Sequence, residues 1–349
     1  MADRMSVLHS LPGVRPTTNP YLVMLRERVR ALPDVDLLDF SYRRAITGRY
    51  QVFHVHWPET LLGGASPLKQ AVRQLLLVLF LLRMTLLRVP VVRTVHNVQR
   101  PEGLRRHEYA LLSWFDRLTT LQIHLNEHTA GSPALPWVVI PHGHYREWFA
   151  RFPLAEAVPG RFGYAGLVRR YKGVETLISA FRAIPDPLAG SGISLRVGGR
   201  PSSPELAQVL DDLAGQDARI ELQLQFLSEA EFAEVLSSAE LVVLPYRFMH
   251  NSGGVLATLS LDRPVLVPDN EVNRSLAAEV GPGWVHTFSD ELDADDLARA
   301  LNLVRAGSRP DARPDLSRRE WDEAGRAHGD AYRQAVEARR RLRAVRQQR

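Results

Sequence analysis

Short apolar runs alternate along the chain with longer stretches of helical period. In the first half the short runs are Ser6–His9, Val35–Phe40, Val52–His56, Val91–His96, Leu121–Leu125 and Val138–Ile140. Helical stretches lie between them. One opens at Asn19-Pro20, an N-cap residue followed by proline at the first helical position. Others cover about 66–88 and 104–115. Strands alternating with helices predict a parallel, doubly wound sheet.

The second half repeats the alternation. Strand Phe162–Ala165 leads to a helix from Val174, with Val174, Leu177, Ile178, Phe181 and Ile184 on one face. Strand Ile193–Val197, helix 204–214 and strand Ile220–Leu224 follow. Ser228-Glu229-Ala230-Glu231 reads as a capping box opening a helix. Strand Leu241–Leu244, helix 254–261, strand Val265–Val267 and helices near 271–279 and 293–305 complete the half. Residues 317–349 are rich in Arg, Ala and Glu and helical by propensity. Arg151 to Gly160 carries two prolines and a glycine without a clean period, and reads as an interdomain connection. The pattern predicts α/β domains over 1–150 and 151–316 and a helical tail over 317–349.

Composition narrows the chemistry. The 349 residues contain no cysteine, which excludes a disulfide framework, a thiolate metal site and a cysteine nucleophile. Only Lys69 and Lys172 are lysine, against 42 arginines. Arginine is therefore a compositional habit of this chain, and the lysines carry more weight. A net charge of +5 points to anionic partners such as phosphates, a membrane surface or nucleic acid. No charged segment followed by a long apolar run stands near Met1, and about 18 uninterrupted apolar residues occur nowhere, so the expected location is cytoplasmic.

In open α/β sheets ligands bind beyond the carboxyl ends of the strands. Two such loops in the second half suit a diphosphate. Gly166-Leu-Val-Arg169-Arg170-Tyr-Lys172-Gly173 places three cations ahead of a helix. Asn251-Ser252-Gly253-Gly254 joins a helix cap to two glycines that let an anion approach backbone amides. In the first half, strand ends carry His9, His54-Val55-His56-Trp57-Pro58-Glu59, His96-Asn97, His124 and His142-Gly143-His144. Their spacing matches no compact zinc motif, and a hydroxyl-rich ligand such as a sugar suits them better.

These stretches resemble the GT-B nucleotide-sugar glycosyltransferases, bacterial exopolysaccharide enzymes of the family-four type, among them the GDP-mannose:glycolipid 4-beta-mannosyltransferases. The residues carrying the resemblance are Gly166 to Gly173, Asn251-Ser252-Gly253 with Leu261-Asp262-Arg263-Pro264-Val265, Arg93 to Asn97, and His54 to Glu59. The resemblance covers nearly the whole chain. It implies two Rossmann-like domains facing a cleft, an acceptor-binding one and a nucleotide-sugar-binding one, with a C-terminal helix crossing back. Two departures stand out. Leu167 fills the place of an arginine in the family pattern, so Arg169 or Arg170 must supply that charge. A pair of family glutamates falls at Met249 and Ala257, neither of them acidic, which tilts the reading toward an inverting reaction.

By this reading a hexose moves from a nucleotide diphosphate sugar, GDP-mannose by preference, to a glycolipid or saccharide acceptor, without a cofactor or metal. Gly166, Arg169, Arg170, Lys172, Asn251, Ser252, Gly253 and Gly254 hold the diphosphate and stabilise it as it leaves. The resemblance implies nucleobase contacts from Phe226, Leu227 and Ser228. Glu59, His96 and His9 are the candidate catalytic bases. His56, Asn97 and His144 are assigned to donor or acceptor sugar. The Asp-x-Asp strings at Asp34–Asp36 and Asp293–Asp295 read as capping or surface acids, not a metal site. On a helical wheel Lys69, Arg73 and Arg83 share a sector with Leu76, Phe80 and Leu87, a face suited to an anionic membrane surface. Competing readings are a UDP-sugar-dependent transferase, a GT-B nucleotide-sugar epimerase, a basic nucleic-acid-binding protein and an inactive scaffold. Except in the final tail, the arginines are spread along the chain, which argues against nucleic acid.

Overall fold

The computed structural model describes residues 4–97, 100, 103–129, 135–184, 192–215, 217–307 and 313–347. The chain forms two compact units, Met1–Gly143 with Arg319–Arg349, and His144–Arg318.

The first unit contains β1 (Met5–His9), α1 (Pro20–Arg30), β2 (Val35–Asp39), α2 (Tyr42–Thr47) and β3 (Val52–Val55). A 3-10 turn (Pro58–Leu61), α3 (Pro67–Leu87), β4 (Val91–Val95), α4 (Arg106–Leu118), β5 (Thr119–His124) and β6 (Trp137–Val139) follow. All strands run parallel in the order β2-β1-β3-β4-β5-β6, so the winding reverses between β1 and β3. Asn19 caps α1, its side chain accepting from the Tyr21 amide, with Pro20 at the first helical position as the sequence predicts. One side of α3 joins the core. Phe53 and Phe80 meet edge to face with centroids 4.9 Å apart, and Leu77, Leu81 and Met84 are buried beside them.

That packing corrects the helical-wheel expectation for Phe80 and Arg83 in α3, while Lys69, Arg73 and Leu87 are exposed as expected. Phe80 is fully buried, and Arg83 is tied to the Ala45 and Gly48 carbonyls and the Tyr50 hydroxyl. The exposed apolar face is a neighbouring one, formed by Leu68, Val72, Leu75, Leu79, Leu82 and Leu86. These residues recur every three or four positions and so share one stripe.

The second unit contains α5 (Arg146–Phe149), β7 (Val158–Ala165), α6 (Val174–Arg182), β8 (Ser194–Gly198), α7 (Pro204–Ala214), β9 (Ile220–Gln223) and α8 (Glu229–Ser237). Then come β10 (Ala239–Val243), α9 (Gly253–Ser260), β11 (Val265–Pro268), α10 (Glu271–Val280), β12 (Val285–Phe288) and α11 (Ala294–Arg305). Its parallel order is β12-β11-β10-β7-β8-β9, which reverses between β7 and β10. Arg151 to Gly160 lies inside this unit, and Val158–Gly160 already belongs to β7. The sequence reading has no strand at β12. This edge strand is half-exposed, and His286 and Thr287 interrupt its apolar pattern.

The chain ends in α12 (Trp321–Gln347), which returns to the first unit and packs on α1 and on β3, β4 and β5. Two glycines within α12 make this approach feasible. A Cβ on Gly325 would lie 3.0 Å from the Arg28 Cβ, and one on Gly329 would lie 3.0 Å from the Leu32 side chain.

Candidate active site

The winding reversal of each sheet gathers the predicted residues. In the second unit the loops leaving β7 and β10 flank the reversal, where such sheets bind ligands. Gly173 has φ of 66°, and a Cβ there would lie 2.2 Å from the Pro245 carbonyl oxygen. Only glycine lets the first loop rest on the root of the second. The Arg247 amide donates to the Tyr171 carbonyl at 2.9 Å and joins the two loops by backbone.

Lys172 Nζ donates to the Tyr246 hydroxyl at 3.2 Å and lies 4.8 Å from its ring centroid. Gly166, at φ 146°, faces the same ammonium, since a Cβ there would lie 3.6 Å from Nζ. A Cβ on Gly254 would lie 3.4 Å from the Tyr246 hydroxyl. Tyr246 thus bridges the two predicted loops. Burial, then the charge of Arg169, lowers the Lys172 ammonium from 10.5 to about 8. A cation so poorly solvated gains from an anion brought beside it.

Ser252 caps α9, its hydroxyl accepting from the Val255 amide at 3.3 Å. The Gly253 and Gly254 amides stand at the first positions of α9, where no acceptor is available within the helix. Asn251 immediately precedes the cap. Arg169 and Arg170 are exposed beside Lys172, and Arg170 lies 3.7 Å from Glu175.

Beyond β9, Phe226 is exposed and the Leu227 side chain packs over Gly198. Ser228 is spent locally. Its amide and hydroxyl both donate to Glu231 at 2.7 Å, and its carbonyl accepts from the Phe232 amide. The capping box predicted there is present, so the Ser228 amide and carbonyl are already engaged within the chain.

In the first unit His9 ends β1, His54 and His56 stand in and just after β3, and His96 follows β4. They form a chain of imidazoles. His9 Nε2 lies 2.9 Å from His56 Nε2, and His56 Nδ1 lies 2.9 Å from His96 Nε2. Beside them, His54 bonds Thr94 through Nε2 at 2.9 Å and the Tyr332 hydroxyl through Nδ1 at 2.8 Å. Trp57 stacks on His96 with centroids 4.0 Å apart. Burial holds the imidazoles neutral. It lowers His9 to about 3, His142 and His328 to about 4, and His54, His56 and His96 well below 6.5.

The network fixes the tautomers. His9 Nδ1 is buried without a partner among the described residues, and a buried unpaired N–H is the costlier alternative. The His9 proton therefore sits on Nε2 and is donated to His56. His56 then donates from Nδ1 to His96, whose own proton sits on Nδ1.

Glu59 stands in the 3-10 turn after the Trp57-Pro58 corner. It lines one small pocket with His56, Trp57, His96, Asn97 and Arg100. Burial raises its carboxyl above the ordinary range. Asn97 is exposed there. His144 belongs to the second unit, buried, with Nδ1 accepting from the Arg146 amide at 3.3 Å.

Ring nitrogens of His9, His54 and His56 lie within 4.8 Å of one another, a spacing from which metal sites are built. Both nitrogens of His54 and both of His56 are bonded to protein groups, so binding a cation would break that network. Asp293 caps α11 in a capping box with Asp296, and Asp34 pairs with Arg333, so both Asp-x-Asp strings have local roles.

Sequence reading misses the support of this wall. Tyr332 and His328 sit one turn apart on α12 and both approach the His54 ring. Trp321 lies against Gly143, where a Cβ would come 2.3 Å from the indole. The spacing of His328 and Tyr332 was the available signal. Tyr246 stands shortly before Asn251 in the sequence, but nothing local marks it as a bridge.

No family model matches the chain. Over 336 residues it is 43% identical to a protein of Xanthomonas campestris pv. campestris named GDP-mannose:glycolipid 4-beta-D-mannosyltransferase, covering 96% of this chain and 94% of that one. The chain belongs to this mannosyltransferase family.

It is accordingly a hexosyltransferase. Solved structures agree on the fold. Anabaena HepE, solved with UDP, superposes with a TM-score of 0.57 at 13% identity, covering 99% of this chain and 100% of HepE. AviGT4, a glycosyltransferase involved in avilamycin A biosynthesis, gives 0.54 at 15% identity, covering 96% and 98%. The two doubly wound sheets are those of a GT-B glycosyltransferase, as the sequence resemblance implies.

Proposed function

We propose that the chain transfers mannose from GDP-mannose to a hydroxyl of a lipid-linked saccharide, with inversion, and that it contributes to exopolysaccharide assembly. The donor and acceptor follow the name carried by relatives at 43% identity. The observation that carries the reading is the Lys172–Tyr246 pair, which joins the two diphosphate loops at the winding reversal of the second sheet.

In the reaction the acceptor oxygen forms a bond to the anomeric carbon as the bond from that carbon to the diphosphate breaks, releasing GDP. An α-linked donor and a β-linked product require inversion, hence one base for the acceptor proton. Lys172, Arg169, Arg170 and the Gly253 and Gly254 amides neutralise the charge growing on the diphosphate. Gly166 keeps the path to Lys172 open, and Asn251 and Ser252 hold the loop. The exposed Phe226 ring and the Leu227 backbone receive the nucleobase.

Glu59 is the base this arrangement supports best. Burial strengthens it as a proton acceptor, and it shares a pocket with His56, His96 and Asn97. His96 spends its Nε2 lone pair on His56 and serves as a donor to a sugar oxygen. His9 lies deeper, at the end of the imidazole chain, and orients it. Asn97 and His56 contact sugar, and His144 is the remaining sugar candidate.

The exposed stripe on α3 supports peripheral attachment to the inner face of the plasma membrane, where a lipid-linked acceptor resides. α3 is also long and apolar enough to cross a bilayer, but its buried side belongs to the core. Calorimetric titration with GDP and UDP, followed by product analysis with GDP-mannose, tests the reading. Preference for UDP, or turnover of the nucleotide sugar without an acceptor, would overturn it.

A further inference from the structure

A second charged hollow lies at the amino-terminal ends of the first sheet's strands, the edge opposite the histidines. Its volume is about 670 Å³, and it is lined by Arg4, Arg49, Arg83, Arg88, Arg339 and Arg340. Among the described residues no acidic side chain lines it. Arg4, Arg49, Arg83, Arg88 and Arg340 have no carboxylate partner among the described residues, whereas many other arginines of the chain are ion-paired. So many guanidinium groups facing one space repel one another unless an anion joins them.

Several of these arginines are held in place. Arg4 donates to the Val35 carbonyl, Arg83 is fixed by the Tyr50 hydroxyl and the Gly48 carbonyl, and Arg339 donates to the Arg88 carbonyl at 3.2 Å. Arg88 ends α3 with φ of 54°, in the left-handed region where glycine is the usual residue. Arg49 and Arg340 are exposed and make no hydrogen bond or ion pair among the described residues. The hollow therefore combines fixed guanidinium groups with reaching ones, and guanidinium is suited to grip phosphate oxygens in pairs.

The neighbourhood says which phosphate. Leu87 of α3 lines the hollow, and the exposed stripe ending at Leu86 occupies the adjacent sector of the same helix. A bilayer met by that stripe brings its headgroups to the mouth of the hollow. A soluble anion needs no such apolar neighbour.

We propose that this hollow binds the phosphate of an anionic lipid headgroup, at a site separate from the donor and acceptor sites. The proposal rests on the peripheral membrane reading above. It predicts that attachment depends on headgroup charge through these particular arginines.

The test is co-sedimentation of the full chain with phosphatidylcholine vesicles, with and without phosphatidic acid. Wild type should bind the acidic vesicles more tightly. Arg49→Glu with Arg340→Glu should weaken that binding by about thirtyfold or more, at roughly 1 kcal/mol per arginine removed, and leave binding to phosphatidylcholine unchanged. Both sites are exposed, so an unchanged melting temperature will verify folding. Inorganic pyrophosphate should compete with the acidic vesicles. A double variant that keeps the wild-type preference for acidic vesicles overturns the proposal. So does a wild type that binds acidic and neutral vesicles equally well. The membrane reading itself fails separately, if Leu79→Ser with Leu86→Ser leaves all vesicle binding intact or if wild type binds no vesicles.

Discussion

Lys172 and Tyr246 come from loops 74 residues apart in sequence, yet the ammonium and the phenol meet at 3.2 Å on adjacent strand ends of one sheet. Loss of the ammonium removes a charge-assisted contact worth about 1.5–3 kcal/mol, and loss of the hydroxyl a neutral one worth about 0.5–1.5 kcal/mol. GDP affinity should therefore fall about ten- to a hundredfold in Lys172→Ala and less than about tenfold in Tyr246→Phe. Isothermal titration with GDP measures both. Equal losses would mean that the tyrosine, not the charge, grips the ligand.

The same lysine predicts a pH limit. Its ammonium is lowered to about 8, so the free protein loses that charge as pH rises through that value. GDP binding should weaken above about pH 8, and Lys172→Arg should move the limit upward because guanidinium keeps its proton. The stability effect has the opposite sign. The unfolded lysine holds its proton up to 10.5, so this group adds stability as pH rises between the two values.

Glu59→Gln keeps the size of the side chain and removes the base. Turnover should fall by about 10²–10⁴, with GDP affinity unchanged. His96→Asn removes only a donor and should cost far less. The acid limb of kcat/KM should lie above the ordinary carboxylate range, because burial disfavours the Glu59 anion. Retention of that limb in Glu59→Gln would point to another group as base.

The buried imidazoles make the first unit acid-sensitive. His9 is lowered to about 3 and His142 and His328 to about 4, while the unfolded rings take protons near 6.5. Unfolded chain binds more protons throughout that window, so stability should fall steadily as pH drops below 6.5. Thermal melts from pH 7 to pH 4 read this. His328→Phe keeps the packing volume near α12 and should flatten the dependence.

The glycine-bracketed cations and the Ser252 cap were readable because each is a local pattern that specifies its own turn. The strand ends were readable because apolar runs stop where side chains turn polar. What failed to show was distant. His54 and Tyr332 touch across 278 residues, and no local periodicity encodes that contact. The outer face of α3 was misplaced for a related reason. A helical wheel finds which residues share a sector, but the aromatic cluster around Phe53 decides which sector turns inward.

Since α12 belongs to the first unit while the second unit is one uninterrupted segment, ribosomal synthesis delivers the two in an uneven order. The second unit has all its residues before α12 is made. The first sheet must wait, with the surface destined for Trp321, His328 and Tyr332 uncovered, until the final helix emerges. A nonsense mutation after residue 318 would therefore damage the part of the enzyme synthesised first.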